Sequence, residues 1–141
     1  MNSVTAIGLF CEDVRQEVGG TITLVGILAD NISVPSIDGA IPKLAMYVRA
    51  NIPVDSPPEQ AYLYLCDEKH RNIISDYDRI AIAENQIKAS EQGNSYLGLT
   101  FTVVASPYPL QKFGRIWLEL DYGTQNIYAG SLNIVAETIN S

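Results

Sequence analysis

The most regular alternation in the chain lies between Phe113 and Glu137. From Gly114 to Tyr122 the even positions carry Gly114, Ile116, Leu118, Leu120 and Tyr122, while the odd ones carry Phe113, Arg115, Trp117, Glu119 and Asp121. Successive side chains of a strand point to opposite faces, so this period of two predicts a strand with one apolar face. Gly123-Thr124-Gln125-Asn126 has turn composition, and Tyr128, Gly130, Leu132 and Ile134 then resume on the even positions. A hairpin pairs residues that share a face. A three-residue loop, Gly123 to Gln125, would set Leu120 opposite Tyr128 and Ile116 opposite Leu132, whereas a two-residue loop would pair Ile116 with Ser131 and mix the faces.

Upstream, Val4 to Cys11 is apolar at both parities, which predicts a central strand covered on both sides. Glu12 to Glu17 reads as a charged connection, and Gly19-Gly20 opens a second strand, Thr21 to Leu28, with Ile22, Leu24 and Leu28 on one face. Pro35 and Asp38-Gly39 limit the next stretch to a short edge strand around Ile32 to Val34. Leu44 to Ile52 alternates again, with Leu44, Met46, Val48, Ala50 and Ile52 against Ala45, Tyr47, Arg49 and Asn51. Pro53 to Gln60 contains Pro57-Pro58 and two acids and predicts an exposed, mobile loop.

Ala61 to Cys66 predicts a strand with Leu63 and Leu65 on one face and Tyr62 and Tyr64 on the other, turned back by Asp67 to Asn72 into a partner at Ile73 to Tyr77. Ile80 and Ile82 alternate as in a strand, yet Glu84 to Gln92 is rich in helix formers, which allows one short helix. Ser95 to Ala105 is a long core strand, Leu97, Leu99, Phe101 and Val103 inward and Tyr96, Thr100 and Thr102 outward, broken by Ser106-Pro107-Tyr108-Pro109. Strands roughly ten to fifteen residues apart with almost no helix predict an all-β fold, an antiparallel two-sheet β-sandwich of immunoglobulin-like or C2-like type. The 141 residues suit a single domain.

Composition adds mostly exclusions. A net charge of −7, with Lys and Arg scattered among acids, argues against a nucleic-acid partner. No apolar run approaches the length that spans a bilayer. The apolar stretch ending at Cys11 superficially resembles a lipoprotein signal, but no Lys or Arg precedes Arg15, and Phe10 stands where a small residue is needed. A soluble, cytoplasmic protein without a membrane partner is the expectation. Cys11 and Cys66 lie in apolar runs, and Trp117 follows both instead of falling between them, so free thiols are expected over an immunoglobulin-type bridge.

Phe10-Cys11-Glu12-Asp13-Val14-Arg15 with Glu17, followed by Leu24-Val25-Gly26, Val34-Pro35 and Pro42-Lys43-Leu44, resembles a family of small uncharacterised bacterial and prophage-associated proteins with no assigned function. The matching residues lie in about the first third of the chain. The resemblance implies a single-domain protein of about this length, and it carries over no catalytic or binding residue.

Candidate chemistry is sparse. Nucleophilic catalysis needs a base, and the one histidine, His70, lies in the charged turn Asp67 to Asn72, where a solvated imidazole is expected. Asp76 and Asp78, with Glu84 and Asp67-Glu68, could offer oxygens to calcium, but a solvated acidic edge needs the same residues. Glu12, Asp13, Arg15 and Glu17 could form a binding loop at one end of the sandwich, or only local ion pairs. The remaining signal is aromatic. Trp117, Tyr47, Tyr62, Tyr64 and Tyr96 all fall on the polar parity of their strands and would present large rigid rings outward. The expectation is a non-enzymatic module without a cofactor, binding another protein or itself; a small-ligand or carbohydrate-binding module that stacks sugars on the same rings is the alternative, and a calcium-binding domain or hydrolase a third.

Overall fold

The strands of this chain, seen in a computed structural model that describes residues 3–37, 39–110, 112–123 and 125–137, follow the alternation closely over most of its length. They are β1 (Thr5–Gln16), β2 (Ile22–Leu28), β3 (Asn31–Val34), β4 (Ala40–Ile41), β5 (Leu44–Pro53), β6 (Ala61–Cys66) and β7 (Arg71–Tyr77). A helix, α1 (Arg79–Glu91), then precedes β8 (Tyr96–Ala105), β9 (Tyr108–Pro109), β10 (Gly114–Asp121) and β11 (Asn126–Ala136). One sheet has the order β2-β1-β5-β8 and the other β3-β11-β10-β6-β7, while β4 and β9 form a two-stranded ribbon. Only the hairpins β1–β2, β6–β7 and β10–β11 stay within a sheet; every other connection crosses between the two. This is the all-β sandwich that the spacing of strands implied.

The core lies between the sheets. Leu44, Met46, Val48, Ala50 and Ile52 of β5 face Leu118 and Leu120 of β10, Leu63 of β6 and Leu132 of β11, all buried. Each such side chain contributes roughly 1.5–3 kcal/mol by leaving water. Tyr77 ties the sheets together at one side, its ring edge-on to Phe101 at 5.0 Å and its hydroxyl donating to the Thr100 carbonyl at 2.6 Å.

Five features differ from the alternation reading. β1 is central in its sheet but is not covered on both faces, since Ile7 is 66 % exposed. Glu12 to Gln16 is not a connection but the second half of β1, because β2 offers it a full ladder: Asp13 pairs with Val25, Arg15 with Thr23 and Gln16 with Ile22. The helix begins at Arg79, so Ile80 and Ile82 are helical; Asp78 caps it by accepting the Ala81 amide at 2.8 Å, and Ile82 and Ala89 alone carry its buried face. β3 is an edge strand as expected, but it runs parallel to β11. Lastly, the β10–β11 hairpin changes register halfway.

Ile116 does pair with Leu132 and Leu118 with Gly130, but Glu119 then pairs with Tyr128 and Leu120 with Ile127. Ala129 is the extra residue of a β-bulge, which reverses the side-chain parity of β11 beyond it. The last ladder pair is Asp121 and Asn126, and the Tyr122 amide donates to the Gln125 carbonyl at 3.1 Å. Next to the turn the hairpin therefore has the register of the two-residue Gly123-Thr124 loop, not of the expected three-residue one, and the bulge restores the expected pairing of Ile116 with Leu132. Thr124 in that loop, like Asp38 in the expected Asp38-Gly39 turn, lies outside the described residues. The bulge sits where the sheets touch through their backbones. A Cβ on Gly130 would lie 2.5 Å from the Gly8 carbonyl oxygen, and one on Gly8 would lie 3.1 Å from the Ala129 oxygen.

Gly130→Ala should therefore destabilise the fold by about 1–3 kcal/mol in urea unfolding, because backbone must move to admit one methyl. Gly98→Ala, whose Cβ would meet only the displaceable Arg49 guanidinium, should cost clearly less. Equal costs would mean that the sheets do not meet at Gly8 and Gly130.

Candidate functional site

The outer face of the β3-β11-β10-β6-β7 sheet gathers most of the outward aromatic and charged groups of its strands. Three rows cross it. Ser131, Trp117, Cys66 and Arg71 form the first, Tyr128, Glu119, Tyr64 and Ile73 the second, and Asn126, Asp121, Tyr62 and Asp76 the third. Neighbouring strands are spaced by about 4.8 Å, so these side chains form one continuous surface.

Two arginines organise it. Arg71, at the start of β7, lies flat over the Tyr64 ring with its guanidinium carbon 3.5 Å from the centroid. Its Nε donates to Glu119 Oε2 at 3.0 Å, its Nη2 donates to Asn126 Oδ1 at 3.2 Å, and Asp121 lies 3.7 Å away. Arg115 occupies the other flank, 5.9 Å from the Trp117 ring and 5.4 Å from that of Tyr128, and its Nη2 donates to the Tyr128 hydroxyl at 3.1 Å. A planar cation over an aromatic face is attractive and holds both partners in place.

The protonation states follow from these contacts. Burial alone would raise Glu119, but hydrogen bonds from Arg71 and from the Cys66 thiol outweigh it and hold the carboxyl below its ordinary value. Burial, then the hydrogen bond to Glu119, push the Cys66 thiol up to about 12. The Tyr128 phenol is lowered, first by Ser131 and, against some burial, by Arg115.

Of the five outward aromatics read from the alternation, the structure brings together three: Trp117, Tyr62 and Tyr64. The Tyr62 and Tyr64 rings are 6.5 Å apart, and the Tyr62 hydroxyl donates to Gln60 at 2.7 Å. Tyr47 and Tyr96 lie on the opposite sheet, Tyr47 between Leu9 and Thr102 and Tyr96 across from Pro53. Six residues of β5 separate those positions, about 20 Å of strand. The five therefore do not form one surface. Tyr128, assigned by parity to the apolar face with Leu132, belongs instead beside Trp117, because the Ala129 bulge turns it outward. A lone glycine within a strand is the usual sign of a bulge or a close backbone approach, so Gly130 was the available signal.

The residues considered for catalysis and metal binding have identified neighbours. His70 stays in an exposed turn with Nδ1 3.2 Å from Asp67 Oδ1, and Asp67 also accepts the amides of Lys69 and His70. Cys66 is buried and a hydrogen-bond donor, not a thiolate, and both it and buried Cys11 are free. Of the acids considered for calcium, Asp78 is the helix cap and Asp76 pairs across from Tyr62. Among the described residues no three side chains of metal-ligating type converge. Asp13 binds Lys43 at 3.5 Å and Arg15 at 3.6 Å, which makes the charged segment after Cys11 a local ion-pair cluster on β1. No helix among the described residues is long and apolar enough to cross a membrane.

Two measurements check this electrostatic picture. Iodoacetamide at about pH 8 should leave both thiols of the native protein unmodified and label both in denaturant; rapid native labelling of Cys66 would mean a thiolate. Because the folded-state value of Glu119 is depressed, its contribution to stability is complete above the ordinary glutamate value of 4.5 and is lost as the pH falls through the lower folded value. Glu119→Gln should accordingly cost roughly 1 kcal/mol or less at neutral pH and flatten the acid limb of the stability profile, and an unchanged acid limb would refute the assignment. Comparison of the chain with protein-family models, with curated proteins and with solved structures found no match.

Proposed function

We propose that this chain is a non-catalytic recognition module that binds a protein partner through the outer face of the β3-β11-β10-β6-β7 sheet, with Trp117 and Tyr128 as anchors. One observation carries this reading: Trp117, Tyr128, Tyr64 and Tyr62 lie in contiguous rows of a single sheet, with Arg71 over Tyr64 and Arg115 beside Trp117 and Tyr128. Rings and guanidinium groups held on paired strands lose little freedom on binding, which is why Trp, Tyr and Arg dominate the energetics of protein interfaces. The Arg71–Glu119 pair lies among the rings, and Asn126 and Ser131 on β11 flank them with polar groups that can hydrogen-bond.

The carbohydrate alternative needs open ring faces. Arg71 already covers Tyr64, which leaves Trp117 and Tyr128 as the stacking platforms, each with Arg115 beside it. A catalytic reading has less to use, since the Cys66 thiol is held protonated and His70 is engaged by Asp67.

The test is a quantitative pull-down from the source lysate with wild type, the Trp117→Ala/Tyr128→Ala double variant and Tyr47→Ala, each checked for native circular dichroism. A partner held by wild type and Tyr47→Ala should be released by the double variant, with affinity reduced at least about tenfold, or 1.4 kcal/mol. Retention by the double variant, or equal loss with Tyr47→Ala, would refute this face as the interface.

A further inference from the structure

The edge strands of the two sheets are not alike. β3 is four residues long, and β7 carries Arg71 and Asp76. β8 is bounded by β7 and α1, with the Tyr77 hydroxyl closing on the Thr100 carbonyl. Short strands, charges and covering elements are the ordinary means by which a sheet edge is kept from pairing with another chain. β2 has none of them. From Thr21 to Ala29 the sequence contains no charged residue and no proline, and among the described residues β1 is its only strand neighbour.

The ladder shows which backbone groups this edge presents. The Glu17 amide donates to the Thr21 carbonyl at 2.8 Å, and the pairs of Arg15 with Thr23 and of Asp13 with Val25 keep the same register. Hydrogen-bonded and non-bonded pairs alternate along an antiparallel ladder. Thr21, Thr23 and Val25 therefore turn their amides and carbonyls towards β1, while Ile22 and Leu24 turn theirs away from it. Gly20, at φ +90°, and Gly26, at φ +65°, leave the extended conformation on either side, so the regular edge runs from Thr21 to Val25.

That run is symmetric about Thr23. A second copy related by a two-fold axis at Thr23 would set Ile22 opposite Leu24 and Leu24 opposite Ile22, two pairs that each exchange both backbone bonds. Thr23 would face its own counterpart as a close non-bonded pair, with Thr21 opposite Val25 on the same face. Moving the axis to Ile22 or to Leu24 would bring Gly20 or Gly26 into the ladder, which leaves Thr23 as the centre.

We infer that β2 pairs antiparallel with β2 of a second copy of this chain about Thr23, joining two four-stranded sheets into one. The edge belongs to the sheet opposite the aromatic rows, so this dimer does not rest on the protein-partner reading and leaves that face free in both copies. Its contact is one strand wide, below the roughly 1,200–2,000 Å² of stable complexes, and a dissociation constant of about 0.1 mM is expected.

The test is sedimentation equilibrium of the intact chain from about 0.01 to 1 mM, which should show a monomer–dimer equilibrium. Thr23→Lys sets like charges against each other at the axis and should weaken association at least about tenfold while circular dichroism stays native. Trp117→Ala/Tyr128→Ala should associate as wild type does. Thr23→Cys reads the register directly. The Cβ atoms of a close non-bonded pair lie within disulfide reach, so this variant should cross-link to a dimer with oxidised glutathione, whereas Ile27→Cys, exposed but beyond Gly26, should not. A monomeric mass up to about 1 mM, unaltered association of Thr23→Lys, or equal cross-linking of Ile27→Cys would overturn the inference.

Discussion

The contact on which the outer surface depends is between two glycines. Gly8 in β1 and Gly130 in β11 bring the two sheets to backbone contact, where neither position has room for a methyl group. Stacked sheets ordinarily stand about 10 Å apart with side chains between them, and here the backbones of β1 and β11 approach closely enough to meet a Cβ at either glycine. The β11 strand takes up the mismatch with the extra residue Ala129, and its parity reverses beyond that point. Tyr128 turns outward as a result and meets Arg115 and Trp117. A constraint inside the sandwich thus decides which residues appear on its surface.

That surface is held by mutual charge compensation. The protein is acidic overall, yet both arginines of the face lie against aromatic rings, and among the described residues only Arg71 is matched to carboxylates. Glu119 links the two layers of the network, accepting from Arg71 above and from the Cys66 thiol below. Such a network costs side-chain entropy when it forms, and folding of the chain alone has already met that cost. Rigid strands under the rings serve the same end, since groups carried on paired strands hold their positions better than groups on loops.

Contacts with neighbouring elements explain why weak local signals gave way in two places. α1 has little amphipathic pattern of its own, with Ile80 and Ile87 exposed and only Ile82 and Ala89 buried; the Asp78 cap and the Gln86 amide, donating to the Val54 carbonyl at 2.7 Å, fix it against the sandwich. Likewise, the charged run Glu12 to Gln16 has low strand propensity, but the ladder from β2 satisfies its backbone groups. In each case a neighbouring element supplied what propensity did not.

What the amino-acid order determined by itself was the set of strands and the inward face of most of them. Leu44 to Ile52, Ser95 to Ala105 and the first half of the Phe113–Glu137 hairpin are legible because a two-residue period of apolar side chains can be buried in only one way. Trp117, Tyr62 and Tyr64 were legible as outward residues for the same reason. Only tertiary structure decided that these three share a face while Tyr47 and Tyr96 lie on the other sheet, because sheet membership depends on which strands pair, and alternation carries no information on pairing. It also decided the outward turn of Tyr128, since a single bulge shifts parity without altering the pattern of residues, and the reach of Arg71 to Glu119, since those positions are 48 apart in sequence and two strands apart in space.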